Sequence, residues 1–240
     1  MLSKNDLKLS IVIPCFNEKN TLINLINKVL SSLKNFNYNF YEILIVDDFS
    51  SDGTRELIKK NFVSKKNFKT FFHEKNMGKG AAIKTAKKFL TGDIIIIQDA
   101  DLEYDPNDYD KLFKPIINGN FKVVYGSRVL NQKRYRISGF SSKVRIFGNH
   151  FLTIISNFIN NQKLTDAHTC YKVFHKDIFD AIELEENDFA FCPEVTSKIA
   201  NLGYEIYEVP INYIGRDYEE GKKIKTIDAF RALKTLIKYR

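Results

Sequence analysis

A chain of 240 residues with 44% hydrophobic side chains can bury one substantial core and is too apolar to be disordered. Lys and Arg outnumber Asp and Glu by 37 to 29, a formal charge of +8, which favours anionic partners: phosphates, nucleic acid or an acidic membrane surface. Three scattered cysteines, Cys15, Cys170 and Cys192, exclude a disulfide framework and a Cys/His zinc site and fit a reducing, cytosolic setting.

Leu9 to Pro14 is a short apolar run closed by a proline and predicts a buried strand. Thr21 to Leu33 predicts a helix, with Leu22, Ile26, Val29 and Leu33 at helical spacing. Tyr41 to Val46 predicts a strand, Thr54 to Phe62 a helix, Phe68 to His73 a short strand and Gly78 to Leu90 a helix. Ile94 to Ile97 is four isoleucines in a row, the pattern of a central strand buried on both faces. A helix over Asn107 to Ile117, bent near its end by Pro115, and a strand over Phe121 to Tyr125 come next. This alternation defines an α/β fold, a mostly parallel twisted sheet flanked by helices.

Beyond this point the pattern changes. Arg128 to Arg145 holds six Lys or Arg among scattered Ser and Gly and predicts a loop. Ile146 to Phe158 predicts an amphipathic helix, Ala190 to Leu202 a helix and Tyr204 to Val209 a strand. Gly215 to Lys225 predicts a mobile charged loop, and Ile227 to Tyr239 a basic amphipathic helix. The leading residues lack the apolar centre of a signal peptide, and no stretch reaches the roughly 18 apolar residues of a membrane span.

In parallel α/β sheets, ligands bind beyond the carboxyl ends of the strands. The segments at those ends are PCFNE, DDFSSDGT, HEKN, DADLEYD and GSR, nearly all polar or acidic. Asp99 and Asp101, at i and i+2 after the isoleucine strand, can share a divalent cation with substrate phosphates, and Glu103 can complete its shell. Such an ion, Mg²⁺ or Mn²⁺, neutralises a departing nucleoside diphosphate. Asp47 and Asp48 are candidates for a base or ribose, while Asp52 reads as a helix cap. Pro14, Phe16 and Glu18 form a third candidate group, with Phe16 packing on a base or ribose. Lys79 and Gly80 open a helix whose amides can face a phosphate. Ser127 and Arg128 come after a strand, and the guanidinium can bind phosphate in bidentate fashion.

Together these segments resemble the family 2 glycosyltransferases of GT-A fold. IVIPCFNE, ILIVDDFSSDGT, NMGKGAA, GDIIIIQDADLEYDP and VVYGSR run in family order. LTDAHTCYKVF, FCPEVTSKIANLGYEIYEVPI and GRDYEEGKKI look like the branch that makes polyprenyl-phosphate sugars. The resemblance implies one domain over 1–240, with a nucleotide-sugar half to about residue 127 and an acceptor half from about 128. It places Pro14, Phe16, Glu18, Asp47, Asp48, Lys79, Gly80, Asp99 and Ala100 at the nucleotide-sugar and Asp99, Asp101 and Glu103 at the metal. It implies that Arg128 and Arg216 bracket the donor and acceptor phosphates, with Ser127, Arg145 and Lys222 on the acceptor side. Asp166 and Lys172 fall in a TD…SGFR-like pattern that reads TDAHTCYK here, departing at its last four positions.

A polyprenyl phosphate is largely ionised at neutral pH, since its second pKa lies near ~6, so its oxygen needs no strong base to attack the anomeric carbon. Attack opposite the leaving diphosphate inverts the configuration, and the site must hold two anions together. A hydroxyl acceptor instead needs a general base, for which Glu194 and Glu103 are the candidates. A nucleotidyltransferase is disfavoured because PCFNEKN stands where its glycine-rich loop belongs. Dispersed Lys and Arg without a recognition motif argue against a nucleic-acid partner. The amphipathic and basic helices suggest peripheral attachment at the cytoplasmic face of a membrane.

Overall fold

The computed structural model describes residues 7–130, 140–215 and 226–240. Seven strands form one sheet in the order β3-β2-β1-β4-β6-β5-β7. They are β1 (Lys8–Cys15), β2 (Phe40–Asp47), β3 (Phe68–Phe72), β4 (Ile94–Ile97), β5 (Val123–Ser127), β6 (Lys172–His175) and β7 (Tyr207–Pro210). The helices are α1 (Leu22–Asn35), α2 (Thr54–Asn61), α3 (Lys79–Lys87), α4 (Tyr109–Ile117), α5 (Phe140–Asn160), α6 (Lys176–Ala181), α7 (Phe191–Asn201) and α8 (Thr226–Lys238). A 3₁₀ turn over Pro106–Asp108 leads into α4, and Pro115 sits within that helix.

Successive side chains on a strand point to opposite faces. The four isoleucines of β4 divide accordingly: Ile94 and Ile96 pack with α1 and α4, Ile95 and Ile97 with α3 and α7. The expected double burial is therefore realised.

One strand escapes the sequence pattern and matters for function. β6 runs antiparallel between β4 and β5, with Ile96 opposite Val173 and Tyr125 opposite Lys172. Its reversed direction delivers residues 166–171 to the same rim as the carboxyl ends of β1, β2, β4 and β5. The sheet also joins strands from either side of residue 127.

Other boundaries shift. Residues Phe140–Arg145 belong to α5, so the basic segment from Arg128 is not a loop throughout. The strand expected from Tyr204 begins at Tyr207. The expected loop 215–225 lies outside the described residues after Gly215, as do Arg216 and Lys222 and the side chain of Arg145. Among the described residues, no helix is long and apolar enough to cross a membrane.

Candidate active site

The first two rim loops are stitched together by their own polar groups. Asn17 N donates to Ser50 Oγ (2.8 Å), and Asn17 Oδ1 accepts from Ser51 N (2.8 Å). Glu18 N donates to Thr54 Oγ1 (2.9 Å), and Asp52 accepts from Thr54 N (2.9 Å), its expected capping role. Asn17, Phe49 and Leu102 adopt left-handed backbone conformations, with φ of 53°, 67° and 64°. Non-glycine residues there cost on the order of 1–3 kcal/mol each, a strain that clusters at ligand loops. Pro14 and Phe16 are half-buried at this rim, and Glu18 is buried with its carboxylate on the Thr21 hydroxyl (2.6 Å). Phe49, exposed beside the Arg55 guanidinium, is a second aromatic on this side.

The two aspartates at the end of β2 do different work. Asp47 is fully buried and paired with Arg55 Nε (2.7 Å) while accepting from Ser50 N. It fastens the turn. Asp48 accepts from Met77 N (2.8 Å), Gly78 N (2.7 Å) and His73 Nδ1 (2.7 Å). It therefore anchors the NMGKG loop to the rim.

Three amides of that loop are already committed within the protein. Met77 and Gly78 give theirs to Asp48, and Ala81 gives its own to Asn187 O (2.9 Å). Gly78 has φ 95°, and a Cβ on Gly80 would meet Glu186 O at 2.5 Å. Gly80 is thus required by close packing against residues 186–187. Lys79 does reach the site: its ammonium contacts Asp99 and lies 3.0 Å from Cys170 Sγ. Burial works against that ammonium, yet Asp99 raises its pKa well above the ordinary lysine value.

Gln98 sets the acidic turn. Its buried Oε1 accepts from Tyr109 (2.8 Å) and Tyr171 (2.7 Å), and its Nε2 donates to Asp99 O (3.0 Å). Asp101 is half-buried, with Oδ1 accepting from Glu103 N (3.1 Å). The Ala100 methyl is packed in the core. Glu103 turns away and accepts from Tyr213 (2.6 Å). Among the described residues, no group of three His, Cys, Asp or Glu side chains is gathered closely enough to hold a metal by itself. Asp101, a hard oxygen donor, stands at the rim beside the Lys79–Asp99 pair. That set suits Mg²⁺ or Mn²⁺ only when substrate phosphates complete the coordination.

On the far side of this turn stands Arg128. Asp166, fully buried, accepts from Arg128 Nε (2.7 Å), Nη2 (2.8 Å) and N (3.1 Å), and from Asn149 Nδ2 (3.0 Å). Burial alone would raise the Asp166 pKa, but Arg128 outweighs it and holds the carboxyl well below the usual range. Glu208 accepts from Thr165 N (2.6 Å) and Asp166 N (2.9 Å), which fixes the backbone beneath. The Tyr213 ring lies 5.2 Å from the guanidinium and joins it to Glu103. Ser127, buried, bonds Thr165 Oγ1 (2.7 Å) and receives Leu130 N (3.0 Å).

Between the two cationic groups lies the segment 167–172. Lys172 is buried, with Nζ on Ala167 O (3.0 Å) and 3.5 Å from the centre of the Tyr125 ring. Burial pushes its pKa down to about 8, and burial likewise takes His168 down to about 4. His168 Nε2 and Thr169 Oγ1 are buried without a hydrogen-bond partner among the described residues. The sequence pattern does not single out Gln98, Tyr213, Asn149 or Phe49, all of which belong to this site. A glutamine between an apolar strand and an acidic pair is the one local signal among them.

Glu194 is committed to its neighbours. Its fully buried carboxylate accepts from Glu185 N (2.6 Å), Glu186 N (3.0 Å) and Lys198 Nζ (2.9 Å). It holds the segment that backs Gly80. Glu194→Gln is expected to cost about 3 kcal/mol of stability by breaking a buried pair, with kcat for sugar transfer nearly unchanged below the melting transition. Thermal melts and initial rates check this, and a collapse of rate at unchanged melting temperature would restore the catalytic role.

An α/β sheet with nucleotide-type rim loops, an Asp-x-Asp turn and a flanking cation is the GT-A glycosyltransferase architecture. Glucosyl-3-phosphoglycerate synthase of Mycobacterium tuberculosis, solved with Mn²⁺, UDP and glucosyl-3-phosphoglycerate, shares the fold with TM-score 0.71 at 15% identity. The match covers 98% of this chain and 81% of that one. Mannosyl-3-phosphoglycerate synthase of Rubrobacter xylanophilus gives TM-score 0.71 at 17% identity, over 97% of this chain and 72% of that one. The family model Glycosyl transferase family 2 matches residues 10–183, and the chain belongs to that family. It is similar to the UDP-N-acetylglucosamine–dolichyl-phosphate N-acetylglucosaminyltransferase of Methanococcus voltae, 29% identical over 95% of this chain and 94% of that protein. It is also similar to the dolichyl-phosphate beta-glucosyltransferase ALG5A of Trichomonas vaginalis, 28% identical over 96% of this chain and 72% of that protein.

Proposed function

We propose that this glycosyltransferase moves a hexose from a UDP- or GDP-sugar to a polyprenyl phosphate, with inversion and with Mg²⁺ or Mn²⁺. The observation that carries the reading is the placement of two anchored cations on one rim. Lys79 is held by Asp99 and Arg128 by Asp166, with Asp101 between them in sequence. Two anionic groups, a leaving diphosphate and an attacking phosphate, are what such a pair can bring together against their mutual repulsion. Arg128 spends its Nε and Nη2 on Asp166, and that bidentate clamp fixes the plane in which the rest of the guanidinium faces a phosphate.

The Methanococcus and Trichomonas relatives act on dolichyl phosphate, and related folds have been solved with UDP and Mn²⁺ or Mg²⁺. Asp101 and the donor diphosphate would hold the divalent ion, which supplies positive charge to the departing phosphates. A hydroxyl acceptor is the weaker reading, because both candidate bases are committed, Glu194 to backbone amides and Glu103 to Tyr213.

The test is a panel of radiolabelled UDP- and GDP-sugars offered with a short polyprenyl phosphate, with and without Mg²⁺ or Mn²⁺. Metal-dependent, chloroform-extractable product from one donor is expected. Donor turnover that labels only hydroxyl acceptors would overturn the lipid-phosphate reading and keep the donor site.

A further inference from the structure

The turn that carries Lys79 is backed by a second segment. A β-carbon at either of its glycines would run into main chain: that of Gly78 into Asn187 O, that of Gly80 into Glu186 O (2.5 Å). Ala81 N donates to Asn187 O (2.9 Å), and Lys84 Nζ donates to Glu185 O (2.8 Å) and to Asn187 Oδ1. Residues 185–188 therefore form the surface on which the first turn of α3 lies. Backbone packed this closely transmits displacement, since protein interiors compress little.

Three acidic side chains stand on that segment, and each is met by a cation. Lys198 of α7 donates to Glu185 Oε1 (2.9 Å) and to Glu183 O (2.5 Å). The other cations come from α8. Lys238 Nζ lies 2.9 Å from Glu186 Oε1 and 3.3 Å from Glu185 Oε2, and Arg231 Nη1 donates to Asp188 Oδ2 (3.0 Å). Tyr239 OH, just beyond the helix, donates to Glu186 Oε1 (2.9 Å). Arg231 and Lys238 stand at i and i+7, two turns apart, so both leave one side of the helix. α8 itself packs on α5 and α7, with Ala232, Leu236 and Tyr239 buried, and Asn201 Nδ2 donates to Tyr239 O (2.8 Å).

Ion pairs this exposed contribute little to folding one by one. Their convergence on the four residues behind Lys79 gives them another use. We infer that α8 is a positioning element for the donor diphosphate: through Arg231, Lys238 and Tyr239 it holds residues 185–188 against α3 and so fixes where the Lys79 ammonium stands. The inference rests on the reading of Lys79 as a donor-phosphate cation and extends that reading to a helix far from the rim in sequence. The ammonium already meets Asp99 and Cys170. A phosphate oxygen must approach from the direction that remains, so a small shift of the turn weakens the contact.

Titration calorimetry of the full chain with UDP and with GDP, each with Mg²⁺ and no acceptor, tests this in a double-mutant cycle. Lys79→Ala should weaken binding of the preferred diphosphate at least about tenfold. Arg231→Ala/Lys238→Ala should weaken it about fivefold, with a melting temperature close to that of wild type. Added to Lys79→Ala, the same two substitutions should change affinity by less than about twofold, because the group they position is gone. Arg231→Lys/Lys238→Arg should bind as wild type does, since both charges remain. Two results overturn the inference. One is an Arg231→Ala/Lys238→Ala variant that binds like wild type while Lys79→Ala does not. The other is losses that multiply in the combined variant, as a general loosening of the fold would produce. If Lys79→Ala binds as tightly as wild type, or wild type takes up neither diphosphate, the donor role of Lys79 falls first and takes the inference with it.

Discussion

Asp101→Asn is expected to lower the rate of sugar transfer by roughly a thousandfold, with the fold intact. Asparagine has the same shape and still offers one oxygen to Glu103 N, so the turn with its left-handed Leu102 has no reason to rearrange. What disappears is a negative charge at the rim, on the side chain placed to meet a divalent ion and the donor diphosphate. Asp99 already faces Lys79, and Glu103 already faces Tyr213. Neither can replace Asp101 without abandoning a partner. Single-turnover rates, with thermal melts as the control, decide the matter. The melting temperature should stay within a degree or two, as for a surface substitution of about 0.5 kcal/mol. A variant that retains its rate within about tenfold would remove Asp101 from the reaction. Asp99→Asn is a useful contrast, because it strands the Lys79 ammonium. That variant should lose stability as well as rate.

Most of the parallel half is legible in the sequence because its signals are local. Four consecutive isoleucines admit few alternatives to a buried strand, and Thr54 to Asn61 starts two residues after its capping aspartate. The site is legible as a set of rim segments for the same reason: the residues immediately after a parallel strand land at its carboxyl end. Three things are not legible. The four-residue β6 has no period long enough to detect, yet its antiparallel insertion is what brings Asp166 under Arg128. Burial separates carboxylates that look alike in sequence, so that Asp47 and Glu194 turn inward to Arg55 and to backbone amides. The direction of α5 is also hidden. An amphipathic pattern specifies that a helix has two faces, and only tertiary packing specifies which of them meets the protein. Here the polar face is claimed by the loop around Asp166.

Asp166→Asn is the other substitution with a large expected effect, and it separates stability from function. The carboxylate gathers four donors, three of them from Arg128, in a fully buried position. Removing its charge leaves a guanidinium without a counterion and an amide group facing other donors, a loss of roughly 3–5 kcal/mol. The pH dependence comes from the depressed pKa. A carboxyl held below its unfolded value contributes stability that is fully present above about pH 4 and is lost as pH falls toward its native pKa. The gap in melting temperature between wild type and Asp166→Asn should therefore narrow on acidification below that point. A purely structural pair and a phosphate-binding pair predict the same loss so far. The double variant Arg128→Leu/Asp166→Leu distinguishes them, since replacing both members of a buried pair by apolar residues often restores stability. It should melt near wild type and still fail to transfer sugar, because no guanidinium remains for the acceptor phosphate. If melting and transfer both recover, Arg128 only braces the rim, and the acceptor phosphate must be met by another cation.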